Sequence, residues 1–132
     1  MAVRWEVTIA GNQPSVNDTY TVVHHPPFCP SCRRGIPRLG KKPHVETWQD
    51  AIAWSVKSAR PRGWMPARRT RIEIEWYTEQ AGRDADGPLK ALLDGIKVGL
   101  GCDDKGFLPS VILNEKDKLN PRTIIRLENV DE

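Results

Sequence analysis

Alternating apolar and polar residues predict several β-strands. Apolar side chains occupy every second position over residues 3–9, with charged or polar side chains between them. The same period recurs over residues 71–76. This pattern is typical of a strand with one buried face. Two further apolar runs, residues 111–113 and 123–127, predict a third and a fourth strand.

Two other segments have a helical period. Thr47 and Asp50 resemble a capping box that opens a helix, and Pro61 ends the apolar repeat that follows. Pro88 suits the first turn of a second helix, and Gly101 marks its end. The apolar face of this second helix consists of Leu89, Leu92, Leu93, Ile96 and Leu100.

The order of elements is therefore strand, long loop, helix, strand, helix, strand, strand. It predicts one α+β domain over residues 1–132, with a four-stranded mixed sheet that the helices cover on one face. A chain of 132 residues, 39% of them hydrophobic, is large enough for one core. The loop, residues 11–44, contains six prolines and is predicted to be irregular.

The sequence also predicts where the protein is found. No apolar run approaches the roughly 20 residues that span a bilayer. The N-terminal segment alternates and carries charge, so it lacks the apolar centre of a signal peptide. Three cysteines, an odd number, do not resemble a secreted disulfide framework. We therefore expect a cytoplasmic protein.

The net charge of +3 conceals an uneven distribution along the chain. Residues 1–72 hold 12 Lys or Arg and 4 Asp or Glu, a net charge of +8. Residues 73–132 hold 8 Lys or Arg and 13 Asp or Glu, a net charge of −5. A nuclease needs cations to attract phosphate and carboxylates to hold metal. Charged runs are also common as solvated surface, so charge alone leaves nucleic-acid binding open.

Acidic residues cluster around the second predicted helix. Asp84 and Asp86 precede it two residues apart, which places both side chains on one side of an extended segment. Lys90 and Asp94 follow at intervals of one helical turn, and Asp103-Asp104 comes after the helix, where the chain can fold back. Converging carboxylates bind Mg²⁺ well, and Mg²⁺ activates water for phosphodiester hydrolysis.

Each of these residues also has a plainer explanation. Asp86 favours a helix N-terminus through the helix dipole. Lys90 and Asp94 have the spacing of an ordinary surface ion pair. Asp103-Asp104 suits any polar loop. The set as a whole is more informative than its members.

The set resembles the signature of the RusA family of Holliday-junction resolvases. The segment Gly82-Arg83-Asp84-Ala85-Asp86, followed by the Lys, an Asp one turn later and an Asp-Asp pair beyond the helix, matches the acidic spacing of that family. The segments Pro14–Tyr20 and Lys42–Val45 resemble two further family segments. The resemblance covers nearly the whole chain except an inserted basic loop at about residues 22–40.

The resemblance implies a RusA-like fold and a homodimeric endodeoxyribonuclease that depends on Mg²⁺ or Mn²⁺. Such an enzyme resolves four-way DNA junctions by paired symmetric nicks in recombination and repair, and a two-fold dimer fits two symmetric nicks. Metal ligands are implied at Asp84, Asp86 and Asp104, with Lys90 as a catalytic cation. The residues that we expect to contact DNA are Arg33, Arg34, Lys41, Lys42, Arg68, Arg69 and Arg83.

The inserted loop contains a second candidate metal site. Cys29 and Cys32 have the spacing of half a zinc ribbon, and a structural zinc site needs four ligands. His24 and His25 are close enough in sequence to complete the set. The alternative is a reduced pair of cysteines without a ligand in a loop. Bound zinc would order a basic finger that touches DNA.

Most of the tryptophans are predicted to be core residues because they fall on strand or helix faces. Trp64 lies in a basic connection, where it either packs in the core or stacks on an unpaired base. The tryptophans predicted for the core are Trp5, Trp48, Trp54 and Trp76.

Two other functions stay open from the sequence. One is a metal-dependent nuclease that cuts flaps or other branched DNA. The other is a zinc-stabilised DNA-binding module without catalysis.

Overall fold

The computed structural model describes residues 3–14, 20–41, 43–79 and 88–130. In chain order its elements are β1 (Arg4–Ala10), β2 (Tyr20–His25), β3 (Ile36–Lys41), α1 (Pro43–Ala59), β4 (Thr70–Thr78), α2 (Leu89–Leu100), β5 (Phe107–Lys116) and β6 (Arg122–Asn129). The predicted α+β class is confirmed, with two helices and a four-stranded mixed sheet. Neither helix in the described part of the chain is long and apolar enough to cross a membrane.

The main sheet has the strand order β1-β6-β4-β5. Strand β6 is antiparallel to both β1 and β4, whereas β5 is parallel to β4. The register places Ile125 opposite Val7 on one side and opposite Ile74 on the other, and all three side chains are buried. The alternating residues of the sequence therefore share one face of the sheet, and that face belongs to the core.

Helices α1 and α2 pack against each other and contribute to the same core. Gln49 of α1 donates a hydrogen bond to the backbone oxygen of Ala91 in α2 at 3.0 Å. One turn further along α1 and two turns further along α2, a Cβ at Gly99 would lie 2.6 Å from the backbone oxygen of Ala53. The helices therefore run in the same direction, and Gly99 allows their backbones to approach closely.

The prediction of an irregular segment over residues 11–44 is wrong for β2 and β3. These strands form an antiparallel hairpin, a separate two-stranded sheet in which His25 pairs with Ile36. Most of its prolines lie in the turn between the strands, where they interrupt no strand pairing. The sequence pattern did not reveal the hairpin, because residues that favour turns occur throughout the segment and are equally typical of irregular loops.

Helix α1 begins four residues before the expected capping box. It begins at Pro43, and the Thr47 hydroxyl donates to the backbone oxygen of Pro43 at 3.0 Å inside the helix. The assignment of Trp54 to the core is also wrong, since this side chain is 71% exposed. It lies two residues past the buried Ile52, on the other side of the helix. Trp5, Trp48 and Trp76 are buried as predicted.

Charged side chains form a network on the outer face of the sheet, opposite the core. Arg126 of β6 pairs with Glu6 of β1 at 2.8 Å and also with Glu75 of β4. Arg4 of β1 pairs with Glu73 of β4 at 2.6 Å. Basic residues from one half of the sequence thus pair with acidic residues from the other. The fold therefore does not separate a basic half from an acidic half.

Candidate functional site

Residues after β1 close one end of the main sheet. The Asn12 side-chain amide donates to Glu79, directly after β4, at 2.8 Å. Gln13 is buried, and its amide donates to the backbone oxygens of Tyr77 at 3.1 Å and Arg122 at 2.7 Å. The chain that follows β1 is therefore fixed against the C-terminal end of β4.

Both helices begin at this end of the sheet. Strand β5 is parallel to β4, so α2, which connects them, must run back along the sheet from the C-terminal end of β4. Helix α1 runs in the same direction and begins beside it. We call this region, which comprises Asn12, Gln13, Glu79 and the first turns of α1 and α2, the helix-start end.

The three segments that resemble the RusA family all adjoin the helix-start end. Residues 15–19 follow Pro14, residue 42 precedes α1, and residues 80–87 lie between Glu79 and α2. Residues 15–19, 42 and 80–87 lie outside the described residues, whereas Pro14, Tyr20 and residues 43–45 of the same segments are described. The predicted site residues among them are Lys42, Arg83, Asp84 and Asp86. The described residues that flank the three segments are brought together by the fold.

Lys90 is the described member of the predicted catalytic set at this end. Its side chain is exposed in the first turn of α2, and that turn contains no acidic residue. Asp94 follows one turn later and is half-buried. The N-terminal end of a helix carries a partial positive charge, to which Lys90 adds a full one. This turn is therefore electrostatically suited to a phosphate group.

Asp104 lies at the opposite end of α2. The helix has 12 residues, so its ends are about 17 Å apart. After it, Thr70 at the start of β4 donates its N–H to Gly106 at 2.8 Å, and Phe107 pairs with Thr70. The chain thus continues into β5 and does not fold back. Within one chain, the length of the helix separates Lys90 from Asp104.

Asp103 and Asp104 differ in their local contacts. The Asp103 carboxylate accepts the backbone N–H of Asp104 at 2.8 Å, and this hydrogen bond lowers the pKa of Asp103. Asp103 therefore holds the turn in place. Both side chains are exposed, so exposure does not distinguish the two as metal ligands.

The predicted DNA-binding residues fall in two separate places. Arg33 and Arg34 are exposed in the turn of the hairpin. Arg68 and Arg69 are exposed just before β4, at the end of the sheet where Asp104 lies. Lys41 ends β3. DNA that touched both arginine pairs would extend along the molecule from the hairpin to the far end of the sheet.

Cys29 and Cys32 lie together in the hairpin turn, both as free thiols. The pKa of Cys29 is lowered to about 6, mainly because the Ser31 hydroxyl hydrogen-bonds its sulfur and then because the Cys32 backbone N–H does. His24 has its Nδ1 atom 3.2 Å from the backbone oxygen of Gly35. The structure thus brings the two cysteines together and does not join the histidines to them.

Trp64 belongs to the core. It is 8% exposed, and its ring meets the edge of Trp5 with 5.2 Å between ring centroids. Of the two predictions for this residue, core packing is confirmed, because a ring enclosed in this way has no free face for a nucleic-acid base.

One cluster was not found from the sequence. Glu75 is buried on the outer face of the sheet, where it accepts the Tyr77 hydroxyl at 2.7 Å and pairs with Arg126. The hydrogen bond from Tyr77 is the main reason that the pKa of Glu75 is lowered. The alternation in β4 marks Glu75 as solvent-facing, and nothing in the local sequence predicts its burial.

Among residues 3–14, 20–41, 43–79 and 88–130, no three side chains of His, Cys, Asp or Glu lie close enough to share a metal ion. A shallow groove of about 490 Å³ lies beside the starts of β4 and β5, lined by Arg71, Glu73 and residues 107–110. None of the predicted site residues lines it.

We compared the chain with models of known protein families and with curated proteins. No family model matches it, and no curated protein matches it significantly.

Proposed function

We propose that this chain is a Mg²⁺-dependent endodeoxyribonuclease that resolves four-way DNA junctions by paired symmetric nicks. The observation that carries the proposal is the helix-start end. Three segments that are far apart in sequence resemble one nuclease family, and residues near their ends are joined in the fold, since Asn12 bonds to Glu79 and Tyr20 pairs with Lys41. A shared location is expected of segments that form one active site.

In this proposal Asp84 and Asp86 hold Mg²⁺ or Mn²⁺ through hard oxygen ligands. When bound, the ion supplies an activated water and charge stabilisation at the phosphate. Lys90, exposed in the first turn of α2, donates to a phosphate oxygen and offsets the negative charge that develops there. Asn12 and Gln13 fix the segment that follows β1 against the end of β4, through hydrogen bonds to the Glu79 side chain and to the backbone oxygen of Tyr77.

Asp104 takes part in this site from a second copy of the chain. The length of α2 keeps Asp104 away from Lys90 in its own chain, whereas across a two-fold axis a residue of one copy can meet a different residue of the other copy within one shared patch. Subunit mixing tests this arrangement. Asp86→Asn and Asp104→Asn should each be inactive, and co-expressing them should restore nicking, because one site of the mixed dimer then holds both native aspartates. A mixture that stays inactive would contradict a shared site.

Substrate choice tests the proposed reaction. A labelled four-way junction and a linear duplex of equal length are incubated with Mg²⁺, and the cut positions are mapped on each strand. We expect two symmetric nicks in the junction and none in the duplex. Equal cutting of both substrates would contradict junction resolution and favour a branched-DNA or general nuclease. Tight binding without cutting of either would favour the non-catalytic DNA-binding module.

A further inference from the structure

The turn of the β2–β3 hairpin is built around the two cysteine sulfurs. Cys29 donates its backbone N–H to the oxygen of Arg34 at 2.8 Å, and Arg33 donates its N–H to the oxygen of Cys29 at 2.8 Å. Arg33 has a φ angle of 60°, a left-handed conformation that few residues other than glycine adopt. These two bonds and the left-handed residue wrap the chain tightly around Cys29 and Cys32.

The base of the turn is equally tight. A Cβ atom at Gly35 would lie 2.1 Å from the backbone oxygen of His25 and 3.0 Å from the Phe28 ring. Only glycine fits here, because every other residue would push the two strands apart.

Within the turn, polar groups are directed at one sulfur atom. The Cys29 sulfur lies 3.2 Å from the Ser31 hydroxyl, and this hydroxyl, together with the nearby backbone N–H groups of Cys32 and Ser31, lowers the pKa of the Cys29 thiol. Cys32 lies three residues after Cys29 in the same turn. Backbone N–H groups around a sulfur are the kind of outer support that orients a metal-binding thiolate.

The turn provides two of the four ligands that a tetrahedral zinc ion needs. Within the described ranges, no third His, Cys, Asp or Glu joins the two cysteines. His24 has its Nδ1 within hydrogen-bonding distance of Gly35. A second molecule can supply the remaining ligands, since residues 24–37 of the hairpin are all exposed or half-exposed.

We propose that two copies of the chain share one Zn²⁺ ion, held by Cys29 and Cys32 of each copy. Two exposed tips related by a two-fold axis present the same pair of thiols to each other. An ion on that axis is therefore bound by two thiols from each copy. Phe28 is 53% exposed and Ile36 is 42% exposed beside the thiols, so two tips can also bury apolar surface against each other. The site does not depend on the proposed nuclease activity.

The charge of the two tips changes when they share a zinc ion. Arg33 and Arg34 give each tip two positive charges, and two bare tips would repel each other. A Zn²⁺ ion with four thiolates has a net charge of −2, which offsets half of that positive charge. The shared ion therefore removes part of the repulsion that would otherwise keep the tips apart.

Zinc stoichiometry and mass test the proposal on the full chain. Protein purified with zinc under reducing conditions is analysed by elemental analysis and light scattering, before and after treatment with a chelator. We expect about half a zinc ion per chain. We also expect the chelated protein to have about half the mass of the zinc form. Cobalt in place of zinc should give the intense visible absorption of a tetrahedral thiolate site.

Variants separate this site from the rest of the molecule. Cys29→Ser and Cys32→Ser should lose zinc and keep the mass of the chelated protein, whereas Cys102→Ser, which changes the third cysteine, should keep zinc and the higher mass. One zinc ion per chain with no change of mass would overturn the shared site. So would a Cys29–Cys32 disulfide or the absence of zinc after reduction. A wild-type protein that binds zinc as predicted but does not cut junctions would contradict the proposed nuclease function and not the shared zinc site.

Discussion

In the body of the molecule, which comprises the main sheet with α1 and α2, Ile52, Ile74 and Leu92 are fully buried. In the hairpin, every residue from 24 to 37 is exposed or half-exposed. Removal of apolar surface from water stabilises the body. The hairpin depends instead on strand pairing and on a tight turn. Changes in the hairpin should therefore leave the fold of the body intact.

The same chemical change in the two regions should give the largest difference in stability. Ile125→Ala removes a fully buried side chain from the centre of the sheet and should lower the free energy of unfolding by about 2–5 kcal/mol. Ile36→Ala in the hairpin, 42% exposed in the wild type, should lower it by less than about 1 kcal/mol. Urea denaturation followed by tryptophan fluorescence measures both, and equal losses would contradict the distinction.

The outer face of the body should show an electrostatic effect of intermediate size. Glu75→Gln removes the charge that Arg126 and the Tyr77 hydroxyl stabilise and should cost about 1–3 kcal/mol at neutral pH. Glu73→Gln, whose carboxylate pairs with Arg4 near the surface, is the matched control and should cost less than about 1 kcal/mol.

The pH dependence of stability follows from the direction of the Glu75 pKa shift. Folding lowers the pKa of Glu75 below its ordinary value of 4.5, so the stability that this carboxylate contributes is complete above that value. The contribution is lost as the pH falls through the lower folded pKa. Wild-type stability should therefore fall below pH 4.5 more steeply than that of Glu75→Gln. Parallel curves for the two proteins would show that Glu75 contributes nothing to folding.

The smallest expected effects concern DNA affinity and show whether hairpin and body both contact DNA. Removing either arginine pair, Arg33 with Arg34 or Arg68 with Arg69, should weaken DNA binding several-fold. The slope of log affinity against log salt concentration should become shallower by about one for each phosphate contact that is lost. Lys57→Ala, at the exposed end of α1, should leave both quantities unchanged. An unchanged salt dependence for one pair would restrict DNA contact to the other region.

The body could be predicted from the sequence because its elements follow a strict period. Val7 and Ile74 alternate with polar residues, as burial of one face of a sheet favours, and Ile125 lies in a short apolar run that also predicts a strand. The hairpin lacks this alternation of apolar and polar residues. Its described side chains face solvent, so none of them has to be apolar to pack in a core. Trp54 shows the limit of the helical pattern, since one large apolar residue lies on the exposed side of α1.

The candidate site was only partly predictable for a geometric reason. The exposed position of Lys90 in the first turn of α2 follows directly from helical spacing. The position of Asp104 does not, because spacing in sequence does not reveal that β5 is parallel to β4. That topology directs α2 away from the helix-start end and leaves Asp104 at the other end of the sheet. The burial of Glu75 likewise depends on neighbours from other strands.

The most direct test of the proposed active site compares two substitutions with the same change of charge. Cleavage of a labelled four-way junction is measured with Mg²⁺ for Asp86→Asn and for Asp50→Asn, which alters an exposed carboxylate on α1. We predict that Asp86→Asn abolishes both nicks and keeps junction binding or strengthens it, because one negative charge near the phosphate is gone. Asp50→Asn should cut like the wild type. Full cleavage by Asp86→Asn would contradict the account.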